Sequence, residues 1–206
     1  GDEIHGQIVG RDAGDLVTRR LLTERVRGMP DEVHDALVCG LGFGERLVAP
    51  LEHRAVLHGA ERIAACSSLL IQDPALLTAV LPDGTPLFRT PGNLQLEIGC
   101  GKGDFAVGMA AAYPHINFIA MERVADVACL ALEKAMAAAP DRLHDNLRFL
   151  IGNAENLGEW LAPGVLSRIY LNFSDPWPKA GYAKRRLTHR RFLELYRSLL
   201  RAGGEL

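Results

Sequence analysis

Apolar positions follow two different spacings along the second half of the chain. Four short apolar runs, "LQLEIG", "NFIAME", "LRFLIG" and "SRIYLNF", have the length of buried strands. Between and after them lie segments with helical spacing, at about 103–113, 124–139 and 155–161. This alternation predicts a parallel sheet with helices on both faces, and a ligand crevice at the carboxyl ends of the strands.

The pattern predicts one more helix, over Thr188 to Arg201, with its first residue as the N-cap. Gly203-Gly204 is its expected stop, and a strand is expected to begin at Glu205-Leu206. Six apolar side chains recur there at helical spacing: Phe192, Leu193, Leu195, Tyr196, Leu199 and Leu200.

The first half of the chain has a different pattern. Helix-like pieces at about 14–27, 31–39 and 53–70 are broken by prolines, and we find no catalytic constellation in them. We therefore divide the chain into a mostly helical N-terminal extension of unknown role, 1–85, and a sheet-containing domain, 86–206.

Composition excludes several classes of protein. The 206 residues are 48% hydrophobic with a net charge of −2, which is ordinary for a globular domain. The four cysteines show neither a CxxC pair nor a histidine at metal-ligand spacing, so we expect no metal site and no disulfide framework. No apolar run approaches the roughly 18 residues of a membrane span. We expect a soluble, cytoplasmic protein.

A glycine-rich loop follows the first predicted strand. In "LEIGCGKGDF", missing β-carbons would let a cofactor approach the backbone at Gly99, Gly101 and Gly103. The loop also satisfies the G-x-G-x-x-A spacing of dinucleotide sites, with Ala106 as its last member and Glu122 about 20 residues beyond the loop. A nicotinamide-dependent oxidoreductase is therefore one possible reading.

Carboxylates around the loop favour a different cofactor. Glu97 lies inside the strand and Asp104 opens the next helix, so negative charge lies where a pyrophosphate would bind. A cofactor with an amino group and a sulfonium cation fits better, which predicts S-adenosylmethionine. Glu122 would then accept the ribose hydroxyls. Asn153, with the backbone of Ala154, would meet the adenine edge, although an asparagine at a strand end is often a turn residue.

An acidic turn follows the fourth predicted strand. In "NFSDPWPK", Pro176 and Pro178 fix their own φ and restrict the residues before them, so Asp175 stands on a stiff turn beside the crevice. Stiffness helps a transfer reaction, because holding two reactants in line can be worth about 10⁵ M or more in effective molarity. The alternative interpretation is that the turn has only a structural role, with the side chain of Trp177 buried in the interior.

Four segments together resemble the bacterial tRNA (guanine-N7-)-methyltransferase family, which has a Rossmann-like class I S-adenosylmethionine-dependent fold. They are "LEIGCGKGDF", "PHINFIAME", "RIYLNFSDPWPK" and "KRRLTHRRFLELYRSLLRAGGEL", and the resemblance covers about 86–206. It implies a catalytic role for Asp175, substrate contact by Lys179, and cofactor binding by Glu97, Glu122, Asn153 and Asp175. The family commonly has Asp in place of Asn153, but an amide can still bond to adenine.

The resemblance implies chemistry that these residues can supply. Guanine N7 has an in-plane lone pair and no proton, so its methylation needs no general base, and the carboxylate of Asp175 would stabilise the resulting positive ring. RNA phosphates would bind a basic edge formed by Lys179, Lys184, Arg185, Arg186, Arg190 and Arg191. Such a run can also be just a solvated face.

Two departures from the family keep an alternative open. The family continues past "GGEL" with further strands and a Thr-Asp pair that contacts substrate, and no counterpart of the family's N-terminal arm stands out here. The resemblance thus implies missing C-terminal strands and an open sheet edge, which a homodimer could cover. The alternative is a truncated, non-catalytic module that binds S-adenosylmethionine or RNA.

Overall fold

A five-stranded parallel sheet forms the centre of the computed structural model, which describes residues 59–138 and 145–206. The strands are β1 (Asn93–Ile98), β2 (Ile116–Glu122), β3 (Leu147–Ile151), β4 (Leu166–Tyr170) and β5 (Leu200–Glu205). Their order in the sheet is β3-β2-β1-β4-β5, and each neighbouring pair is parallel. The predicted α/β fold is confirmed.

Helices cover both faces of the sheet, as predicted. The helices are α1 (Gly59–Ala65), α2 (Asp104–Ala112), α3 (Ala125–Ala138), α4 (Leu157–Trp160) and α5 (Arg190–Leu199). Two apolar clusters hold them on the sheet: one contains side chains of α1, α2 and α3, and the other contains side chains of α4 and α5. The segment predicted at 155–161 divides into a 3₁₀ turn, Ala154–Asn156, and the short helix α4.

The described part of the N-terminal extension packs directly on the sheet. Leu70 forms a parallel bridge with Phe149 of β3, and Leu69 and Ile71 on either side are buried. The predicted helix over 53–70 is therefore wrong beyond Ala65, because the backbone groups of 69–71 bond to β3 instead of continuing a helix. The predicted helices at 14–27 and 31–39, and residues 53–58, lie outside the described residues. The domain boundary at residue 85 stays a prediction.

The last helix is shorter than predicted at both ends. It starts at Arg190 and ends at Leu199, so the prediction of Thr188 to Arg201 is wrong. Its N-cap is His189, whose ring Nδ1 accepts a hydrogen bond from the backbone N–H of Arg191 at 3.3 Å. An imidazole one residue further on thus replaces the expected threonine cap.

The final strand begins earlier than predicted. Leu200 pairs with Leu166 and Glu205 pairs with Arg168 in the parallel ladder with β4, with a register irregularity between the two pairs. The expected start at Glu205 is wrong, because pairing with β4 takes Leu200 out of the helical pattern. The expected stop, Gly203-Gly204, lies inside the strand, where Gly203 has a φ of +74°.

Gly103 illustrates how tightly the loop before α2 packs. Its φ is +79°, and a β-carbon there would lie 2.9 Å from the β-carbon of Ala131 in α3. Gly103→Ala is therefore expected to lower the free energy of unfolding by about 2 kcal/mol, through backbone strain and overpacking. Gly108→Ala, inside α2 with nothing near its added carbon, should be neutral or stabilising. Urea unfolding of both variants tests this, and equal effects would contradict it.

Candidate active site

A cleft of about 650 Å³ lies at the carboxyl ends of the strands. This is the place that a parallel sheet with crossover helices leaves for a ligand. Its walls come from the segments that follow β1, β2, β3 and β4 and from the start of α5. Seven of the site residues predicted from the sequence line it: Gly99, Glu122, Asn153, Ala154, Asp175, Arg185 and Arg191.

The three loop glycines have different surroundings. Gly99 and Gly101 have φ values of +80° and +55°, and a β-carbon on either would meet no atom within 4 Å. Both therefore leave open space where a ligand can approach the backbone. Gly103 instead packs against Ala131, so its missing side chain serves the contact between α2 and α3. Gly101 and Gly103 do not line the cleft, and their predicted cofactor contacts stay predictions.

Backbone donors hold the carboxylate of Glu122 in the cleft. Its Oε1 accepts hydrogen bonds from the N–H groups of Arg123 at 2.8 Å and Val124 at 3.0 Å. Its Oε2 accepts one from the N–H of Gly101 at 3.0 Å. Since each carboxylate oxygen has two lone pairs, Oε2 keeps one for a ligand hydroxyl. The carboxylate is thus preorganised. That it accepts hydrogen bonds from both ribose hydroxyls stays a prediction.

Glu97 lies behind the glycine loop, outside the lining of the cleft. Its side chain is only 3% exposed. Its Oε1 accepts a hydrogen bond from Asn172 Nδ2 at 2.9 Å, and its Oε2 has no partner within the described residues. Burial raises the pKa of this carboxyl to about 7; the bond from Asn172 opposes the rise, and the nearby charges of Asp104 and Glu122 add to it.

Asn172 was missed in the sequence analysis. It lies two residues past the end of β4, at the same sheet edge as the glycine loop and Glu122. A polar residue directly after a buried parallel strand is the signal that could have identified it. Its amide anchors one oxygen of Glu97 and leaves the other without a donor.

Asn153 caps the turn that follows β3. Its Oδ1 accepts a hydrogen bond from the N–H of Glu155 at 3.2 Å, and its Nδ2 lies 3.3 Å from Glu155 Oε2. Asn153 is therefore a turn residue, and it also lines the cleft together with the buried Ala154. Contact with an adenine edge stays a prediction.

The turn after β4 carries Asp175 between two strained residues. Phe173 and Trp177 have φ values of +51° and +39°, and they are the two non-glycine residues with positive φ in the described ranges. Arg186 stabilises the turn by donating two hydrogen bonds to the carbonyl of Trp177, at 3.1 and 2.9 Å. Asp175 itself is exposed on the cleft wall. Backbone strain held in this way is typical of functional sites.

The basic segment after the turn is partly occupied by contacts within the protein. The guanidinium of Arg185 lies 5.0 Å from the ring centre of Trp177 and 4.8 Å from that of Tyr182. These two rings also make an edge-to-face contact, with centres 5.8 Å apart. Arg185 is the last residue of a 3₁₀ segment, Ala180–Arg185, and it therefore fastens this segment to the turn through cation–π contacts.

The other members of the predicted phosphate-binding set divide in two groups. Arg190 pairs with Glu194 at 2.8 Å along α5, and Arg191 pairs with Glu155 across the cleft wall at 2.5 Å. Two exposed members of this set have no hydrogen-bond or ion-pair partner within the described residues: Lys179 and Lys184. These lysines are the members best able to reach an external phosphate.

Cys100 lies in the glycine loop but is not poised to act as a base. Its side chain is buried, and burial, with a smaller contribution from Glu97 and Glu122, raises the pKa of its thiol well above the usual range. The group stays a protonated thiol at neutral pH.

Neither a metal cluster nor a membrane-spanning helix occurs in residues 59–138 and 145–206. No three His, Cys, Asp or Glu side chains come together there as metal ligands would. No helix in these ranges is long and apolar enough to cross a membrane.

Comparison with known proteins identifies the family. The model of a family described as "Putative methyltransferase" matches residues 92–206. The chain belongs to this methyltransferase family. The methyltransferase fold family expected from the four sequence segments is thereby confirmed.

Curated relatives carry a more specific name. Three of them are named "tRNA (guanine-N(7)-)-methyltransferase". The one from Limosilactobacillus fermentum is 45% identical over 119 residues, which are 58% of this chain and 54% of the relative. The one from Limosilactobacillus reuteri is 45% identical over 144 residues, 70% of this chain and 64% of the relative. The one from Lactococcus lactis subsp. cremoris is 37% identical over 146 residues, with coverages of 71% and 64%. This member of the methyltransferase family therefore spans between 54% and 64% of the length of these relatives.

Proposed function

We propose that this protein transfers the methyl group of S-adenosylmethionine to N7 of a guanine in the variable loop of tRNA. The observation that carries the proposal is the strained turn that presents Asp175 on the wall of a cleft lined by Glu122 and Asn153. The shared name of the curated relatives supports the choice of substrate. A tRNA substrate would place the protein in the cytoplasm.

The residues present fit S-adenosylmethionine better than a phosphate-bearing cofactor. Gly99 and Gly101 leave open space beside the backbone, and Glu122 keeps a free lone pair for a hydroxyl. The carboxylate of Glu122 accepts a hydrogen bond from the loop backbone, where its charge would repel a pyrophosphate. When bound, the cofactor supplies an electrophilic methyl group on a sulfonium. Glu122 and Asn153 would hold its adenosine part.

Asp175 would act through its charge and its position. Because guanine N7 has a lone pair and no proton, no side chain has to remove one. Methylation leaves the ring positive, and a carboxylate at the base edge lowers the energy of that charge as it develops. The stiff turn keeps the carboxylate in place without reorganisation, which is what makes such stabilisation effective.

A direct assay tests the proposal. The protein is incubated with labelled S-adenosylmethionine and unmodified tRNA, and the nucleosides are analysed by mass spectrometry. We expect 7-methylguanosine. A matched tRNA with 7-deazaguanine at the target position has no N7 and should take up no label. If no product forms while calorimetry shows binding of S-adenosylhomocysteine, the catalytic proposal fails and the non-catalytic binding module is favoured.

The division of the basic segment leads to a prediction about tRNA affinity. Lys179→Ala with Lys184→Ala should weaken tRNA binding roughly tenfold, and reduce the slope of log K against log salt by about one for each lysine. The control is Arg190→Ala, whose guanidinium is paired with Glu194 and should contribute less. Fluorescence anisotropy at several salt concentrations measures both. Equal losses in the two variants would show that pairing within the protein does not decide which cations bind phosphate.

A further inference from the structure

Phe173 is an aromatic residue whose exposed position is not explained by packing in the core. It is 74% exposed, more than any other large hydrophobic residue of the described ranges. It lines the cleft beside Ser174 and Asp175, and its φ of +51° is rare for a bulky residue. Neither burial nor backbone preference explains this conformation. An observed outlier of this kind in a cleft points to a role in binding.

The other aromatic residues of the cleft wall already have partners. Trp177 contacts Tyr182 and Arg185, as described above. Phe192 is buried and stacks on Tyr196, with ring centres 6.0 Å apart. Phe173 has no ring or cation contact within the described residues, so its ring faces remain open to a ligand.

Strand order places Phe173 away from the residues that would hold adenosine. Glu122 ends β2 and Asn153 follows β3, whereas Phe173 follows β4, and β1 lies between β2 and β4 in the sheet. Phe173 is thus at the end of the cleft where Asp175 lies. If the adenosine part of the cofactor lies beside β2 and β3, the end of the cleft beside β4 is left for the group that receives the methyl.

We propose that Phe173 is the platform on which the target guanine stacks, which makes it a substrate-positioning residue. The inference rests on the proposed function and adds the site of base recognition to it. Stacking uses the face of a base and leaves its edge free. The in-plane lone pair of N7 would therefore stay available for reaction. Asp175, two residues further along the same strained turn, can then approach the edge of the stacked ring.

Substitutions at Phe173 separate this role from other roles. Phe173→Ala should lower kcat/KM for tRNA roughly tenfold to a hundredfold, the range expected for the loss of one base–aromatic stack. Phe173→Tyr and Phe173→Trp should keep most of the activity, and Phe173→Leu should not. The control is Leu193→Ala, which removes an exposed apolar side chain of α5 outside the cleft lining. It should leave kcat/KM unchanged.

Two further measurements cover the competing explanations. Affinity for S-adenosylhomocysteine should stay within about twofold in Phe173→Ala; a larger loss would mean that the ring stacks on the cofactor, which overturns the inference. The melting temperature should change no more than in Leu193→Ala. A much larger drop, shared by Phe173→Leu, would mark Phe173 as a packing residue and also overturn it.

A binding readout makes the result independent of turnover. In a tRNA with 2-aminopurine at the target position, fluorescence should be quenched by the unaltered protein and by Phe173→Trp, and much less by Phe173→Ala. If the unaltered protein makes no 7-methylguanosine but this difference in quenching is seen, the proposed catalysis fails and the stacking platform stands. If 7-methylguanosine is made and quenching is equal in all variants, the stacking platform fails and the proposed function stands.

Discussion

Replacement of Asp175 by alanine is expected to reduce methyl transfer by about 100-fold to 1,000-fold, the loss typical of removing one preorganised electrostatic group. Asp175 is exposed and stands between two residues with positive φ, so little packing is lost with its carboxylate. The effect should appear in the rate of 7-methylguanosine formation under saturating tRNA. Affinity for tRNA should change little, because Asp175 provides no phosphate contact.

Two matched variants identify the cause of that loss. Asp175→Asn keeps the shape and removes the charge, and it should lose most of the activity if electrostatic stabilisation is the role of the carboxylate. Glu159→Ala removes an exposed carboxylate of α4 outside the cleft lining and should be fully active. If Asp175→Asn retained full activity, the carboxylate would have no charge-dependent role. If tRNA affinity fell in parallel with the rate, Asp175 would act in binding.

The centre of the sheet could be predicted because β1, β2 and β3 are largely buried on both faces. Runs such as "NFIAME" and "LRFLIG" are short and almost continuously apolar, which is typical of the strands of a parallel sheet covered on both faces. The glycine loop, Glu122, Asn153 and Asp175 lie at or just after the carboxyl ends of successive strands, and parallel strands bring these ends to one edge. Their gathering in one cleft therefore followed from order along the chain.

The chain end was predicted less well because two local signals competed. Leu199 and Leu200 continue the helical spacing of α5, yet Leu200 belongs to the ladder with β4. Pairing with a strand more than 30 residues earlier decides the boundary, and helical periodicity carries no information about it.

In the basic segment too, local sequence patterns do not reveal contacts between distant parts of the chain. The pairing of Arg190 with Glu194 could be predicted, since the two residues are four apart on a helix. The contacts of Arg191 with Glu155, and of Arg185 with the ring of Trp177, join parts of the chain whose proximity only the fold determines. A run of like charges therefore identifies a basic edge but does not show which of its members remain available.

Glu97 was predicted as a cofactor residue, but its environment could not be read from the sequence. The strand pattern gives its side chain a buried face, and the structure adds the single donor from Asn172 and the absence of any partner for Oε2 within the described residues. A carboxylate so poorly solvated is costly when charged. Its protonation should consequently be linked to folding.

Below pH 4.5, the ordinary pKa, the carboxyl of Glu97 is protonated in both the folded and the unfolded chain. As pH rises towards about 7, the unfolded chain releases this proton while the folded chain retains it, so the free energy of unfolding falls. The loss is complete above pH 7 and should total about 3 kcal/mol, at 1.36 kcal/mol for each pH unit between the two pKa values.

Glu97→Gln has the shape of the protonated acid, can still accept the bond from Asn172, and does not titrate. Its free energy of unfolding, minus that of the unaltered protein, should therefore rise by about 3 kcal/mol between pH 4.5 and 8. Urea unfolding at half-unit pH intervals measures the difference. Glu159→Gln makes the same substitution at an exposed site and serves as the control. A flat curve for Glu97→Gln would mean that Glu97 is ionised in the folded protein, and that its second oxygen has a donor at neutral pH.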